Sequence, residues 1–316
     1  MTALTAEAEA AAHPRARVPG PRTPCACVRT PLADREDATV VRHAGAVAKA
    51  HAPDTGRTAL VRRLAVAAGR PDVLLAPLAP APVALRDRLV TFWPYGVPVD
   101  PDDPDAAPWE AAATLLAKLH RVPVPAGLPP MRGPVKAARA LDRLRAALAT
   151  AATPDPAARP VLDAWASLPA WARAEAPMPG PPALCHGDLH LGQLVRHPEP
   201  DGPWRLIDID DLGAGVPAWD LARPAAWYAC GLLPPDEWTR FLTAYRRAGG
   251  PAVPADGDPW AALDVPARAL TVQTAALALT KALTAGRPLD EVERALVDAC
   301  ARMPSVPPGP APGPPH

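Results

Sequence analysis

Asparagine occurs nowhere in this chain of 316 residues. Isoleucine occurs twice, at 207 and 209, and lysine only four times, so 29 of the 33 basic residues are arginine. Alanine and 47 prolines dominate instead. This is a coding bias towards Ala, Pro, Arg and Gly, and it makes each rare residue type more informative where it does occur. An excess of one charge is missing too. The 33 Lys and Arg balance 33 Asp and Glu, so no global field favours nucleic acid or a membrane surface as a partner. No run of 18 apolar residues exists, which excludes a transmembrane helix. The first 20 residues lack the basic start and apolar core of a signal peptide. The five cysteines, at 25, 27, 185, 230 and 300, are odd in number and include no CxxC pair. Cys25 and Cys27 form a lone CxC that implies no chemistry. A reduced cytoplasm is the expected compartment.

What is present suits a globular protein: 49% hydrophobic and 21% charged residues, in a chain long enough for one large domain or two lobes. Residues 1–35 are rich in Ala, Pro and Arg without periodicity and read as a disordered tail, as does the Pro/Gly-rich end, 304–316. Between them, 36–96 reads as a small N-terminal α+β lobe. "ATVVRH" and "AVAKAH" are strands around a turn at Ala44–Gly45, "TALVRRLAVAA" is a helix, and "RLVTFWPYG" is a strand ending at Pro94 and Gly96. Residues 97–303 read as a mainly helical C-terminal lobe. "WEAAATLLAKLH" puts Trp109, Ala112, Leu115, Leu116 and Leu119 on one face, and "VKAARALDRLRAALATAA" is a second amphipathic helix. Further helices are expected at 219–231, 235–248, 260–285 and 289–301, with a short strand "WRLIDI" before them. There is no internal repeat.

The chemistry concentrates in "CHGDLHLGQL", 185–194, and "RLIDIDDLGAG", 205–215. Asp188 and Gln193 are five apart in a polar turn, and Asp208 follows Asp188 by twenty positions. A hairpin-like pairing of the two turns would gather all three at one edge. The residue types suit phosphoryl transfer. One carboxylate positions an attacking hydroxyl and accepts its proton, while a second carboxylate and an amide oxygen hold Mg²⁺ against nucleotide phosphates. Blander readings compete. "GAGVPA", 213–218, formally matches a dinucleotide fingerprint but lacks a βαβ unit around it. His186 and His190 have zinc-like spacing without the accompanying glutamate. Asp210 and Asp211 read as a solvated turn. Trp219 and Trp227 read as core anchors, with a substrate cleft as the alternative.

"HGDLHLGQL" followed by "LIDIDDLGAGVPAWDLA" resembles the signature of the aminoglycoside phosphotransferase and choline kinase-like family, which shares the protein-kinase fold. The resemblance is clearest over 183–225. It implies an α+β, kinase-like two-lobe fold and an ATP- and Mg²⁺-dependent transfer of phosphate to a small-molecule hydroxyl acceptor. Carried onto this chain, it makes Asp188 the catalytic base, Asp208 the principal metal ligand and Gln193 the second, where the family usually has Asn. It makes Asp220 a structural tie for the catalytic loop, with His186 orienting that loop. Lys49 resembles the strand lysine that contacts the α- and β-phosphates. "TFWPYG" resembles the linker that binds adenine through its backbone, with Phe92, Trp93 and Tyr95 among the contacts. The Gln at 193 also resembles bacterial maltokinases.

Two features depart from the family pattern. No Glu occurs between Glu36 and Glu110, so the helix glutamate that pairs with the lysine is missing, and only Ala44–Gly45 stands for the Gly-rich turn. Both keep a catalytically degenerate nucleotide-binding or regulatory relative as the alternative. A protein kinase is disfavoured, because neither A-P-E nor an Arg before Asp188 is present. The acceptor, whether sugar, aminoglycoside or amino alcohol, is not specified by the motifs.

Overall fold

The computed structural model describes Leu4, residues 29–35, 38–151 and 155–303. These residues divide into two compact units. The first runs to Ala107 and takes in Pro125–Pro129 and Leu191–Asp210. The second consists of Pro108–Val124, Pro130–His190 and the chain from Asp211 onward.

The first unit is built on a five-stranded antiparallel sheet: β1 (Arg29–Asp34), β2 (Thr39–His43), β3 (Ala46–Ala50), β4 (Val83–Leu85) and β5 (Arg88–Pro94), in the order β1-β2-β3-β5-β4. Strict alternation of buried and half-buried residues in β2 and β3 sends Val41, Ala48 and Ala50 to a core completed by Val90, Phe92 and Leu4. Period two then forces Lys49 onto the opposite face, in register with Thr91 of β5. Helix α1 (Arg57–Gly69) buries Leu60, Leu64 and Ala67. A smaller antiparallel sheet of β6 (Val97–Pro98), β8 (Leu194–Arg196) and β9 (Trp204–Leu206) completes the unit. Leu206 is tied to Val73 and Leu75 by backbone hydrogen bonds of 2.9 Å each.

In the second unit, β7 (Ala183–Cys185) pairs antiparallel with β10 (Gly213–Gly215). The remainder is helical: α2 (Trp109–His120), α3 (Gly133–Thr150), α4 (Ala158–Ser167), α5 (Ala218–Ala229), α6 (Pro235–Arg247), α7 (Trp260–Ala285) and α8 (Glu291–Arg302). The 26-residue α7 is the hub on which α3, α5 and α8 pack. None of the described helices is long and apolar enough to cross a membrane.

Several expectations need correction. Residues 29–34 belong to the sheet as β1, because Pro31 sits beside a bulge where the strand tolerates its missing N–H. The rest of the supposed tail lies, apart from Leu4, outside the described residues, as do the CxC pair and 304–316. Helix α4 was hidden by Pro160, which falls in its first turn, where proline removes no helical hydrogen bond. The strand "WRLIDI" stops at Leu206, since Asp208 adopts a left-handed φ of 62°. "GAG" is itself an antiparallel strand paired with β7, so its glycines do not form the strand-to-helix turn a dinucleotide fingerprint requires.

Candidate active site

In the first unit, Lys49 is the centre of a charged cluster. Its Nζ donates to Asp208 Oδ1 at 2.6 Å and lies 3.0 Å from Asp210 Oδ2. Burial alone would lower the lysine's pKa. The charges of Asp208 and then Asp210 outweigh it and raise the value well above its ordinary range. His51 Nδ1 lies 2.7 Å from Asp210 Oδ1. Its Nε2 is 2.8 Å from Thr91 Oγ1, which accepts from Trp93 Nε1 at 2.9 Å. These contacts join the Trp93 indole N–H, Thr91, His51 and Asp210 in one row. Asp210 is therefore no solvated turn residue. Its carboxylate is held well below the usual range, with burial opposing and Lys49 and His51 prevailing.

Asp208 uses only Oδ1 in these contacts, accepting from Lys49 and, at 3.2 Å, from the N–H of Asp210. Its Oδ2 has no hydrogen-bond partner among the described residues. Gln193, at the foot of β8, is buried. Its backbone oxygen accepts from Ile207 N at 2.9 Å, while its side-chain amide has no partner among the described residues. An available carboxylate oxygen and an available amide oxygen, both hard donors, fit Mg²⁺. The left-handed backbone at Asp208 costs about 1–3 kcal/mol for a non-glycine residue, a strain that persists only where surrounding contacts over-determine it.

The linker residues differ in what they leave open. Phe92 packs its ring into the sheet core, and its carbonyl accepts from Leu78 N at 2.8 Å. Tyr95 donates its N–H to Gly45 O at 2.8 Å, its carbonyl accepts from His197 Nδ1 at 3.0 Å, and the Arg42 guanidinium lies 3.3 Å above its ring. Trp93 pairs with Val47 across the sheet.

In the second unit, Asp188 follows β7. Gly187 makes the turn possible: its φ is 86°, and a Cβ there would lie 2.5 Å from Asp211 O. Asp188 Oδ2 accepts from Lys136 Nζ at 2.6 Å and Oδ1 from Arg223 Nη2 at 2.8 Å. Burial pushes its carboxyl up, but the Lys136 and Arg223 charges prevail and hold it at about 2. The same Lys136 bridges to Asp211 Oδ2 at 2.7 Å, and Arg132 Nε lies 3.6 Å from Asp211 Oδ1. Asp211 too is no solvated turn; burial leaves its carboxyl above the ordinary value. Burial likewise lowers His190 to about 4, leaving it neutral at pH 7.

Asp220, at the start of α5, ties the loop from beneath. Its Oδ2 accepts from the N–H of His186 at 2.6 Å and its Oδ1 from that of Gly187 at 2.7 Å. His120 Nε2 completes the shell at 2.9 Å, and His120 Nδ1 meets the Tyr245 hydroxyl at 2.7 Å. The buried His120, Cys185 and Asp220 have metal-like proximity. Burial keeps the Cys185 thiol protonated, and the carboxylate already has three hydrogen-bond partners. His186 is fully buried, as a loop-orienting residue requires.

Residues 32–263 match the phosphotransferase enzyme family. The chain belongs to that family. No curated protein matches it significantly. Among solved structures, it resembles a choline/ethanolamine kinase family protein from Mesorhizobium loti (20% identity, TM-score 0.53, 96% of this chain and 94% of that one). It also resembles an ethanolamine kinase from Plasmodium vivax (12%, 0.58, 93% and 85%) and a spectinomycin phosphotransferase in complex with ADP and spectinomycin (13%, 0.56, 88% and 88%). At these identities the likeness establishes the fold: the kinase-like α+β architecture, with an antiparallel sheet first and a mainly helical part after it.

The motif reading missed His51, Lys136, Asp210, Asp211 and Arg223. For Lys136 a signal was present, since only four lysines occur and Lys49 is informative for that same reason.

Proposed function

We propose that this phosphotransferase moves the γ-phosphate of Mg-ATP to a hydroxyl of a small molecule. The observation that carries the reading is the pairing of Lys49 with Asp208 and Asp210, 159 positions along the chain from the first of these carboxylates. It supports a lysine anchored for nucleotide phosphates beside a carboxylate with one oxygen left for a metal. Asp208 and Gln193 would hold Mg²⁺, which when bound neutralises charge on the phosphates. Phe92, Trp93 and Tyr95 mark the strand end proposed to face adenine. Asp188, kept ionised by Lys136 and Arg223, orients the acceptor hydroxyl and takes its proton. The acceptor oxygen bonds to the γ-phosphorus as the bond from that phosphorus to ADP breaks. His186 and Asp220 hold the loop that carries Asp188. The domain reading proposed with this is a nucleotide-binding lobe over 36–96 and a catalytic lobe over 97–303, in a cytoplasmic protein.

The degenerate, regulatory reading rests on the missing helix glutamate and the reduced Gly-rich turn. Asp210 supplies Lys49 with a carboxylate from another element, which answers the first of these.

The test is calorimetric titration with Mg-ATP followed by ADP release against sugars, aminoglycosides and amino alcohols. Asp188→Asn should reduce turnover by about 10²–10⁴-fold while leaving Mg-ATP binding intact. Asp208→Asn should weaken Mg-ATP binding itself. A wild-type chain that binds no Mg-ATP at millimolar concentration refutes the proposal.

A further inference from the structure

On the face of β3 turned away from the apolar core, Lys49 has a second polar neighbour. His51 continues the strand, its N–H donating to Leu89 O at 2.8 Å. Standing two positions after Lys49, it shares the same face. On β5 that face carries Thr91, in register with Lys49, and Trp93. His51 is fully buried and Thr91 is 1% exposed. Trp93 Nε1 donates to Thr91 Oγ1 at 2.9 Å, Thr91 Oγ1 lies 2.8 Å from His51 Nε2, and His51 Nδ1 lies 2.7 Å from Asp210 Oδ1.

An imidazole and a hydroxyl kept from water are an unfavourable way to brace a sheet. Each demands a partner, and a pair of apolar side chains of the same shape would pack there at no loss. The row is also not closed on itself: it starts inside the sheet and ends on a carboxylate that meets Lys49. At that end Asp210 is held on both oxygens. Its Oδ2 is 3.0 Å from Lys49 Nζ and its Oδ1 is the atom against His51. The carboxylate cannot turn about its Cβ–Cγ bond without losing one of the two. Asp208, by contrast, meets Lys49 through Oδ1 alone. Helix α1, RTALVRRLAVAAG, has no acidic side chain to offer.

We infer that His51 is a positioning residue of the nucleotide site: it fixes the plane of Asp210, and through it the place of the Lys49 ammonium, while Thr91 and Trp93 hold the imidazole. The inference deepens the phosphotransfer reading above and rests on it. In this role His51 does not itself meet the nucleotide. Its effect reaches the phosphates only through Asp210 and Lys49.

The experiment is calorimetric titration of the full chain with Mg-ATP, with denaturant unfolding of each variant to establish that it folds. His51→Asn puts a side-chain nitrogen where Nδ1 stands and gives up the reach to Thr91. His51→Gln reaches the place of Nε2 and gives up the contact with Asp210. His51→Gln should therefore weaken Mg-ATP binding by about three- to tenfold, the size of one polar contact, and His51→Asn by less than about twofold. In an Asp210→Asn background, His51→Gln should bring no further loss, a dependence that a residue merely bracing the sheet would not show. Thr91→Val keeps the shape and releases the imidazole, and it gives a second reading should the His51 variants fold poorly. It should weaken Mg-ATP binding by about two- to fivefold, again only while Asp210 is intact. A loss in His51→Asn as large as in His51→Gln overturns the inference. So do losses that add in full to that of Asp210→Asn, or an unchanged affinity in both His51→Gln and Thr91→Val. A wild-type chain that binds no Mg-ATP overturns the reading beneath it.

Discussion

Replacing Lys136 by Met should change the pH dependence of turnover and of stability in opposite directions. In the native protein the Lys136 ammonium lies 2.6 Å from Asp188 and 2.7 Å from Asp211, and Asp188 titrates at about 2. The distance from the ordinary aspartate value, about 3.9, corresponds to roughly 2–3 kcal/mol in favour of the charged form. Removing the cation leaves burial and the Asp211 charge, both of which raise the Asp188 pKa, against Arg223 and the smaller effect of His190. The carboxyl should then titrate at about 5 or above. Wild-type kcat/KM should be flat from pH 8 to pH 5. The variant should keep activity within about tenfold at pH 8 and fall by a further twofold or more at pH 5, as its base becomes protonated. Stability should run the other way. In the wild type a depressed Asp188 pKa contributes stability above about pH 4 that is lost as pH falls towards 2. In Lys136→Met the raised carboxyls contribute stability at low pH that is lost as pH rises, so denaturant midpoints should be higher at pH 5 than at pH 8. A rate profile that superimposes on the wild type, or a loss equal at every pH, refutes the assignment of Lys136 as the group that keeps Asp188 ionised.

Asp210→Asn retains the size of the side chain but leaves Lys49 with one anionic partner; Mg-ATP affinity should fall by roughly five- to thirtyfold, about 1–2 kcal/mol, as read by calorimetry. Gln193→Asn keeps the amide oxygen and shortens its reach by one methylene, so turnover should stay within about tenfold. A total loss would show that Gln193 does something other than hold metal. Gly187→Ala places a Cβ on a left-handed backbone 2.5 Å from Asp211 O. Denaturant unfolding should show a loss of at least about 2 kcal/mol.

The strands around Ala44–Gly45 were legible because their residues alternate between two faces, and the helix at 57–69 and the 26-residue α7 because they are runs of good helix formers such as Ala, Leu and Arg. Asp188, Asp208 and Gln193 were legible as candidates because the two motifs stand in order, and Lys49 because it is one of four lysines and its strand resembles the family's. What the motifs could not convey is the partner of each charge. "DIDD" offers three carboxylates in four positions, and period alone cannot tell which turn towards a lysine; the left-handed Asp208 interrupts the strand alternation that would have ranked them. Lys136 sits on an amphipathic helix where a charged residue reads as solvated face, so its rarity went unused. Helix α4 and strand β1 were obscured by prolines that occupy tolerated positions, which a proline-rich composition makes hard to separate from breakers.

The discontinuity of the first unit bears on how the protein is made. Its main sheet is finished at Pro94, but the carboxylates that meet Lys49 and the strand segment that ties down Val73 and Leu75 lie in Leu191–Asp210. A ribosome adding about 5–20 residues per second needs roughly 8–32 seconds to travel the 159 positions from Lys49 to Asp208. For that interval the nascent sheet carries a lysine destined for burial with no counter-charge. Its completion waits on a hairpin that emerges only after the first helices of the second unit. A chain cut at residue 107 lacks the segment that completes this unit.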